Sequence, residues 1–259
     1  MKLKAVGSRL PVSIGALRKL RRELSDTERR PVVIGGAQEL ARVLERELVL
    51  GGDASAVRIG DPKGGAVYVH FGEDDRPLRA ARRARVPIVA VVSGDATPPY
   101  VYASDVVRVG PGERLPVDRI VGAIASRLGE DGAPLAARLP VLRGPVCDRI
   151  VTVFARKNGL VGAAVFVPGA DLPVLALNQV RMVLRLEQAY GLEPDVRERL
   201  PEIVATVAAG LGLRAAAREL LDLVPVAGWA VKGGIAYAGT RALGEATLRR
   251  LAFTAKPRV

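Results

Sequence analysis

The chain holds one cysteine, Cys147, and one histidine, His70, and this scarcity excludes more chemistry than any residue present establishes. A lone cysteine cannot close an intramolecular disulfide or complete a cysteine metal cluster, and it fits a reducing compartment. A lone histidine excludes any centre built on two imidazoles, and with it the zinc hydrolases and most histidine-driven acid–base catalysis. Aromatic residues make up only 4% of the chain, so its core must be assembled from small and branched aliphatic side chains. Long hydrophobic runs are missing too. Met1 to Leu20 lacks the apolar run of a secretory signal. The nearest approach to a membrane-spanning segment, Asn158 to Val180, contains Asp171, Pro168 and Pro173. The expectation is a cytoplasmic chain, soluble or attached to a surface.

What is present suits a folded protein. Apolar residues are 49% and charged residues 25% of 259, enough apolar surface to offset chain entropy in one large or two modest domains. The formal charge is +12, and Arg outnumbers Lys 32 to 7, a bias that genome composition can also produce. Residues 1–140 and 141–259 carry +6 each, so the basicity is no detachable tail. Such a surface attracts nucleic acid, anionic lipid or an acidic partner, and charge alone does not choose among them.

From residue 31 to about 130, short apolar runs alternate with helical patterns. Pro31-Val-Val-Ile-Gly-Gly36 reads as a buried strand ending in a turn. Ala37 to Leu50 follows as a helix, with apolar residues at 40, 43, 44 and 48. Ala56–Gly60, Ala66–Phe71, Val86–Val92 and Asp105–Val109 read as strands, Arg76–Ala84 as a short basic helix and Val117–Leu128 as a last helix. The pattern predicts an α/β domain with a mostly parallel sheet. Asp61 to Gly65 joins two strands in five residues. Parallel crossovers usually need about a dozen, so this link predicts one antiparallel hairpin, the arrangement of small GTPase domains. Residues 131–143, rich in Gly, Ala and Pro, read as a linker. Residues 144–259 read as an all-helical domain, with helices over Pro145–Phe166, Leu172–Tyr190, Pro194–Leu223 and Gly228–Leu251.

The turn after the first strand is where a phosphate loop would lie. Gly35 and Gly36 supply glycines, but Arg42 would replace the lysine and Val43 the metal-binding hydroxyl, while Glu39 puts an anion beside the phosphates. Neither His70-Phe-Gly-Glu-Asp-Asp75 nor Val92-Ser-Gly-Asp-Ala96 carries a guanine-nucleotide motif, though Asp95 could contact a base. Gly35, Gly36, Arg42 and Asp95 are thus the weak candidates for nucleotide contact; a tight strand-to-helix turn is the ordinary explanation for the two glycines. No catalytic residue, cofactor or metal is expected. Residues 1–30 form a separate basic amphipathic segment. Ile14, Leu17, Leu20 and Leu24 share one helical face there, with Arg18, Lys19, Arg21 and Arg22 around it. This helix suits an anionic membrane or acidic partner, and equally docking on its own domain. Small residues recur every fourth position at Ala230, Gly234, Ala238, Ala242 and Ala246, and again at Ala208, Gly212 and Ala216, a spacing that lets helices pack closely in membranes or in soluble bundles. Trp229 and Tyr237 accompany the first stripe.

Val167-Pro-Gly-Ala-Asp-Leu-Pro-Val174, Leu177-Asn-Gln-Val-Arg-Met-Val-Leu184 and Ala189-Tyr-Gly-Leu192 together resemble the C-terminal domain of the YcjF-like family of bacterial proteins. Ala217-Arg-Glu-Leu220, Val224-Pro-Val-Ala-Gly-Trp229 and Ala238-Gly-Thr-Arg-Ala-Leu-Gly244 continue the likeness in the same order, over roughly residues 140 to 250. The resemblance implies association with membranes and the company of a GTPase domain, and it brings no catalytic residues. The expectation is a non-enzymatic, membrane-peripheral or partner-binding protein on a degenerate GTPase-like domain, acting at the inner face of the membrane. Its partner would be an anionic membrane surface or a protein, a GTPase among the candidates. A nucleotide-binding GTPase with an unconventional loop is the alternative. Nucleic acid is the less favoured partner, because aromatics are few and not interleaved with arginine along the chain.

Overall fold

The computed structural model describes residues 30–95, 97–164, 172–192 and 228–254. Its elements in chain order are β1 (Val32–Gly36), α1 (Gln38–Val49), β2 (Val57–Ile59), β3 (Val67–Phe71), α2 (Asp75–Arg83), β4 (Ile88–Ser93), β5 (Val106–Val109), α3 (Val117–Leu128), α4 (Ala133–Arg138), α5 (Pro140–Ala164), α6 (Leu172–Ala189) and α7 (Gly228–Thr254). The protein is α/β. One compact unit gathers residues 30–153 with 185–192 and 251–254; a second holds 154–164, 172–184 and 228–250.

The first unit is built on a five-stranded sheet in the order β2-β1-β3-β4-β5 with every pairing parallel. This is the flavodoxin-like order, whose strand sequence reverses between β1 and β3. The β-branched runs of β1, β3 and β4 are buried almost throughout, as strands covered on both sides must be. On one face Val33, Tyr68 and Ile88 pack with Val86 and with Leu78 and Ala81 of α2. α1 buries Ala41, Leu44 and Leu48 and lies along β1 and β2, while α3 lies along β3, β4 and β5.

The expected antiparallel hairpin does not form. β2 and β3 are not neighbours; each pairs in parallel with β1, on opposite sides of it. The small-GTPase arrangement is therefore not the one adopted. The requirement of about a dozen residues assumes a return along a full strand. Here β2 is three residues long, so the chain retreats only about 7 Å while crossing about 10 Å over β1. The seven residues between β2 and β3 span that easily. Gly65 makes the crossing fit: a Cβ there would stand 2.7 Å from Val33 Cγ2.

Residues 131–143 are not an open linker either. They form a 3-10 turn, α4 and the start of α5, and they bury Leu135, Ala136, Leu139 and Leu142. Composition misled because Ala and Pro suit a helix start as well as a linker. The Arg138 guanidinium binds the Asp53 carboxylate at 2.9 Å, tying this segment to the loop before β2. The division into units then falls within α5, not at residue 144.

After residue 144 all described secondary structure is helical. In α7 the expected stripe is reversed. Ala230, Gly234, Ala238, Ala242 and Ala246 are exposed, while Gly233, Ala236, Thr240, Leu243 and Thr247 are buried. Those five follow the 3-and-4 spacing of a packed helix face. Gly233 meets Gly159 and Ala163 of α5 so closely that a Cβ would stand 2.9 Å from the Gly159 carbonyl oxygen. A period of exactly four drifts around a helix of 3.6 residues per turn and cannot follow one packed face. Ala208, Gly212 and Ala216 lie outside the described residues.

Candidate functional site

In an open parallel sheet, ligands bind beyond the carboxyl ends of the strands, where the strand order reverses. At that point the turn after β1 is pinned onto β3. Gly36 has φ +90°, and a Cβ there would stand 1.9 Å from the Phe71 carbonyl oxygen. The Ala37 N–H donates to that same carbonyl at 3.1 Å. An amide that would begin a phosphate cradle is thus already bonded. α1 has no side-chain cap, and Glu39 occupies its first turn, complementing the helix dipole with protein charge.

The rest of this end is acid-rich, with Glu73, Asp74, Asp75, Asp95, Glu113 and Asp118 in the loops and first helical turns. Several have structural tasks. Asp74 accepts from the Arg76 N–H at 3.1 Å and caps α2, and Asp75 pairs with Arg79 at 3.0 Å. Glu113 accepts from the Gly110 N–H at 2.8 Å and pairs with Arg119, and these contacts hold its carboxyl below the usual range. Arg76 and Arg114 also lie at this end, and Arg108 donates to the Asp95 carbonyl at 3.2 Å. Of the residues singled out for nucleotide contact, Gly35, Gly36 and Asp95 do share this end of the sheet. Arg42 does not join them: it lies a turn along α1 and is exposed.

Beneath this edge lies a buried polar pair. Tyr68 Oη is 3.1 Å from His70 Nδ1, and both residues are about 1% exposed. His70 Nε2 is buried without a hydrogen-bond partner, and burial pushes the imidazole pKa down. Burial likewise raises the Tyr68 hydroxyl to about 12 and the Cys147 thiol to about 12, which leaves both neutral and the thiol a poor nucleophile.

The opposite edge, where strands begin and helices end, has a different chemistry. Arg82, Arg83 and Arg85 close α2 and are exposed, with no ion-pair partner among the described residues. Acids at this edge are engaged: Asp53 by Arg138 at 2.9 Å, Asp105 by Arg127 at 2.8 Å, and Asp131 by Arg185 at 3.2 Å. Hydrogen bonds from Ser55 and then Arg138 lower the Asp53 pKa to about 2. The loop before β5 adds Tyr100 and Tyr102, which flank Val101; Val101 packs against the Val33–Tyr68–Ile88 core. Arg79 lies over the Tyr100 ring at 5.9 Å and Arg127 over the Tyr102 ring at 5.4 Å. This pairing of arginine with tyrosine is absent from the linear sequence, since the partners stand 21 and 25 positions apart. The run of arginines was visible; its aromatic companions were not.

The second unit has its own polar core. Asn158 donates to Thr240 Oγ1 at 2.9 Å, and Asn178 donates to Asn158 Oδ1 at 2.8 Å, linking α5, α6 and α7. Thr240 returns its own hydroxyl to the Ala236 carbonyl at 2.8 Å.

No family model, curated protein or solved structure matches this chain. Among the described residues, no three metal-ligating side chains cluster, and no helix is long and apolar enough to cross a membrane. Arg18, Lys19, Arg21 and Arg22 lie outside the described residues. Trp229 stands in the first turn of α7, and its side chain is outside them too.

Proposed function

We propose that the protein is a non-enzymatic peripheral binder that attaches to an anionic membrane surface or a protein partner through an α/β domain without nucleotide motifs. The observation that carries this reading is the state of the ligand edge. Its leading turn is closed onto Phe71, and its rim carries Glu39, Glu73, Asp74 and Asp75 where polyphosphate would need cations. Such a rim repels nucleoside triphosphates. The surplus of cations lies elsewhere and suits an anionic surface. The protein then acts at the cytoplasmic face of the membrane.

Two measurements on the full chain test it. Millimolar Mg-GTP leaves the melting temperature unchanged, whereas a site saturated at 100 times its Kd would add about 2.7 kcal/mol. A clear rise with GTP and not with ATP would put the GTPase reading in its place. The chain floats with anionic but not neutral vesicles and is released by high salt. Replacing Arg18, Lys19, Arg21 and Arg22 by Glu reports whether the N-terminal stretch carries the attachment. Indifference to anionic vesicles even at low salt would remove the membrane and leave a protein partner, a GTPase among the candidates.

A further inference from the structure

The end of α2 is built in an uncommon way. The Arg85 N–H donates to the Arg82 carbonyl at 3.1 Å and the Val86 N–H to the Ala81 carbonyl at 3.0 Å, the two bonds of a Schellman motif. Glycine is the usual residue at the left-handed position of that motif, but here it is Arg85, at φ +56°. Among the described residues one other non-glycine side chain stands in that region: Tyr100, at φ +70°. Arg85 follows the last turn of α2, and Tyr100 lies against the same helix, under the Arg79 guanidinium. Strain held by non-glycine residues at one place is a pointer to use.

We propose that Arg82, Arg83 and Arg85, with Tyr100 and Tyr102 of the loop before β5, form the contact of the α/β unit with an anionic phospholipid surface; this rests on the peripheral reading above. Exposed arginines on a helix end can reach many headgroup phosphates at once. Tyrosines, apolar in body and polar at the tip, suit the interface between headgroup and acyl chain. Val101 anchors the tyrosine loop in the core, so the rings are presented on a fixed base. A single-stranded nucleic acid is less well matched. Each ring already has a guanidinium over it, from Arg79 or Arg127, on a face that a base would need for stacking. The acids of this edge do not cancel the field, since Asp53, Asp105 and Asp131 are each paired with another arginine. On α1, the last acid toward this edge is Glu47, which is exposed.

The test uses the full chain, with vesicles of phosphatidylglycerol and phosphatidylcholine in about equal parts. A basic residue near such a surface contributes about 1 kcal/mol, or about fivefold in partition, so removing three cations costs about a hundredfold. The combined Arg82→Gln, Arg83→Gln and Arg85→Gly variant is expected to lose that much at low salt. Its melting temperature should equal or exceed that of the wild type, because glycine relieves Arg85, and lost binding then cannot be ascribed to unfolding. Tyr102→Ala is expected to weaken binding by a smaller factor that high salt does not remove. A variant that partitions like wild type would overturn this assignment while wild-type flotation kept the peripheral reading. Failure of the wild type to float would overturn both. Salt-sensitive binding of a single-stranded oligonucleotide, lost in the triple variant while vesicles bind neither protein, would assign the edge to nucleic acid instead.

Discussion

The phenolic oxygen of Tyr68 stands 3.1 Å from Nδ1 of His70, two residues along the same face of β3. In one tautomer the hydroxyl donates to Nδ1 and a buried Nε2–H is left without an acceptor; in the other, Nδ1–H donates to the hydroxyl and a bare Nε2 lone pair is left. Protonation would make both nitrogens donors in a site that supplies one acceptor.

Stability should therefore depend on pH in a known direction. Burial sets the folded His70 pKa below 6.5, whereas the unfolded chain titrates near that value. Below about pH 6.5 the unfolded state binds a proton that the folded state refuses. The His70 contribution is complete above about pH 6.5 and declines as pH falls toward the folded pKa. Urea midpoints from about pH 7.5 down to 5 should drop for the wild type and drop less for His70→Asn. Equal slopes would show that His70 is not the group responsible.

The Asn158–Thr240 contact allows a different measurement. Thr240→Val removes the hydroxyl that accepts from Asn158 and leaves a buried amide without that acceptor, at a cost of about 1–3 kcal/mol. Asn158→Leu alone takes the acceptor from the half-buried Asn178 amide. The double variant should cost less than the two single changes added together, because Asn158→Leu removes the amide that Thr240→Val would orphan. Strict additivity in a denaturation cycle would mean the network is not coupled.

Much of the sheet was legible because runs such as Pro31-Val-Val-Ile and Val67-Tyr-Val-His-Phe71 carry their own strand signal, and the turns follow from glycine chemistry. The pairing of β2 was not. A link's length limits topology only when the strands it joins are long, and β2 ends after three residues. Helix faces failed for a related reason: small residues mark close approach without saying which of two adjacent stripes makes it. The candidate surface was half visible, as arginines at 79, 82, 83 and 85, but Tyr100 and Tyr102 reach it only through the fold.

Arg85 also yields a stability prediction independent of any ligand. A non-glycine residue in the left-handed region costs about 1 kcal/mol relative to glycine, and the two Schellman bonds need only the backbone. Arg85→Gly should raise the melting temperature by about 2–4 °C. Arg83→Gly, at the last helical position of α2, should lower it, since glycine there adds helix cost without relieving strain. A lowered melting temperature for Arg85→Gly would mean that the arginine side chain itself stabilises the fold.

Two adjacent glycines in α7 separate the packed face from the open one. A Cβ at Gly233 would stand 2.9 Å from the Gly159 carbonyl oxygen and 3.0 Å from Ala163 Cβ, so α5 and α7 would have to move apart. Overpacking of that kind costs about 1–3 kcal/mol. At Gly234 nothing lies within 4 Å of the added atom, and the backbone is ordinary helix. Alanine there removes unfolded-state freedom and should stabilise by about 0.5–1 kcal/mol. Gly233→Ala and Gly234→Ala should thus shift the denaturation midpoint in opposite directions, one position apart. The reverse result would make Ala230, Gly234, Ala238 and Ala242 the packed stripe after all. Two losses of similar size would mean that both faces of α7 are covered.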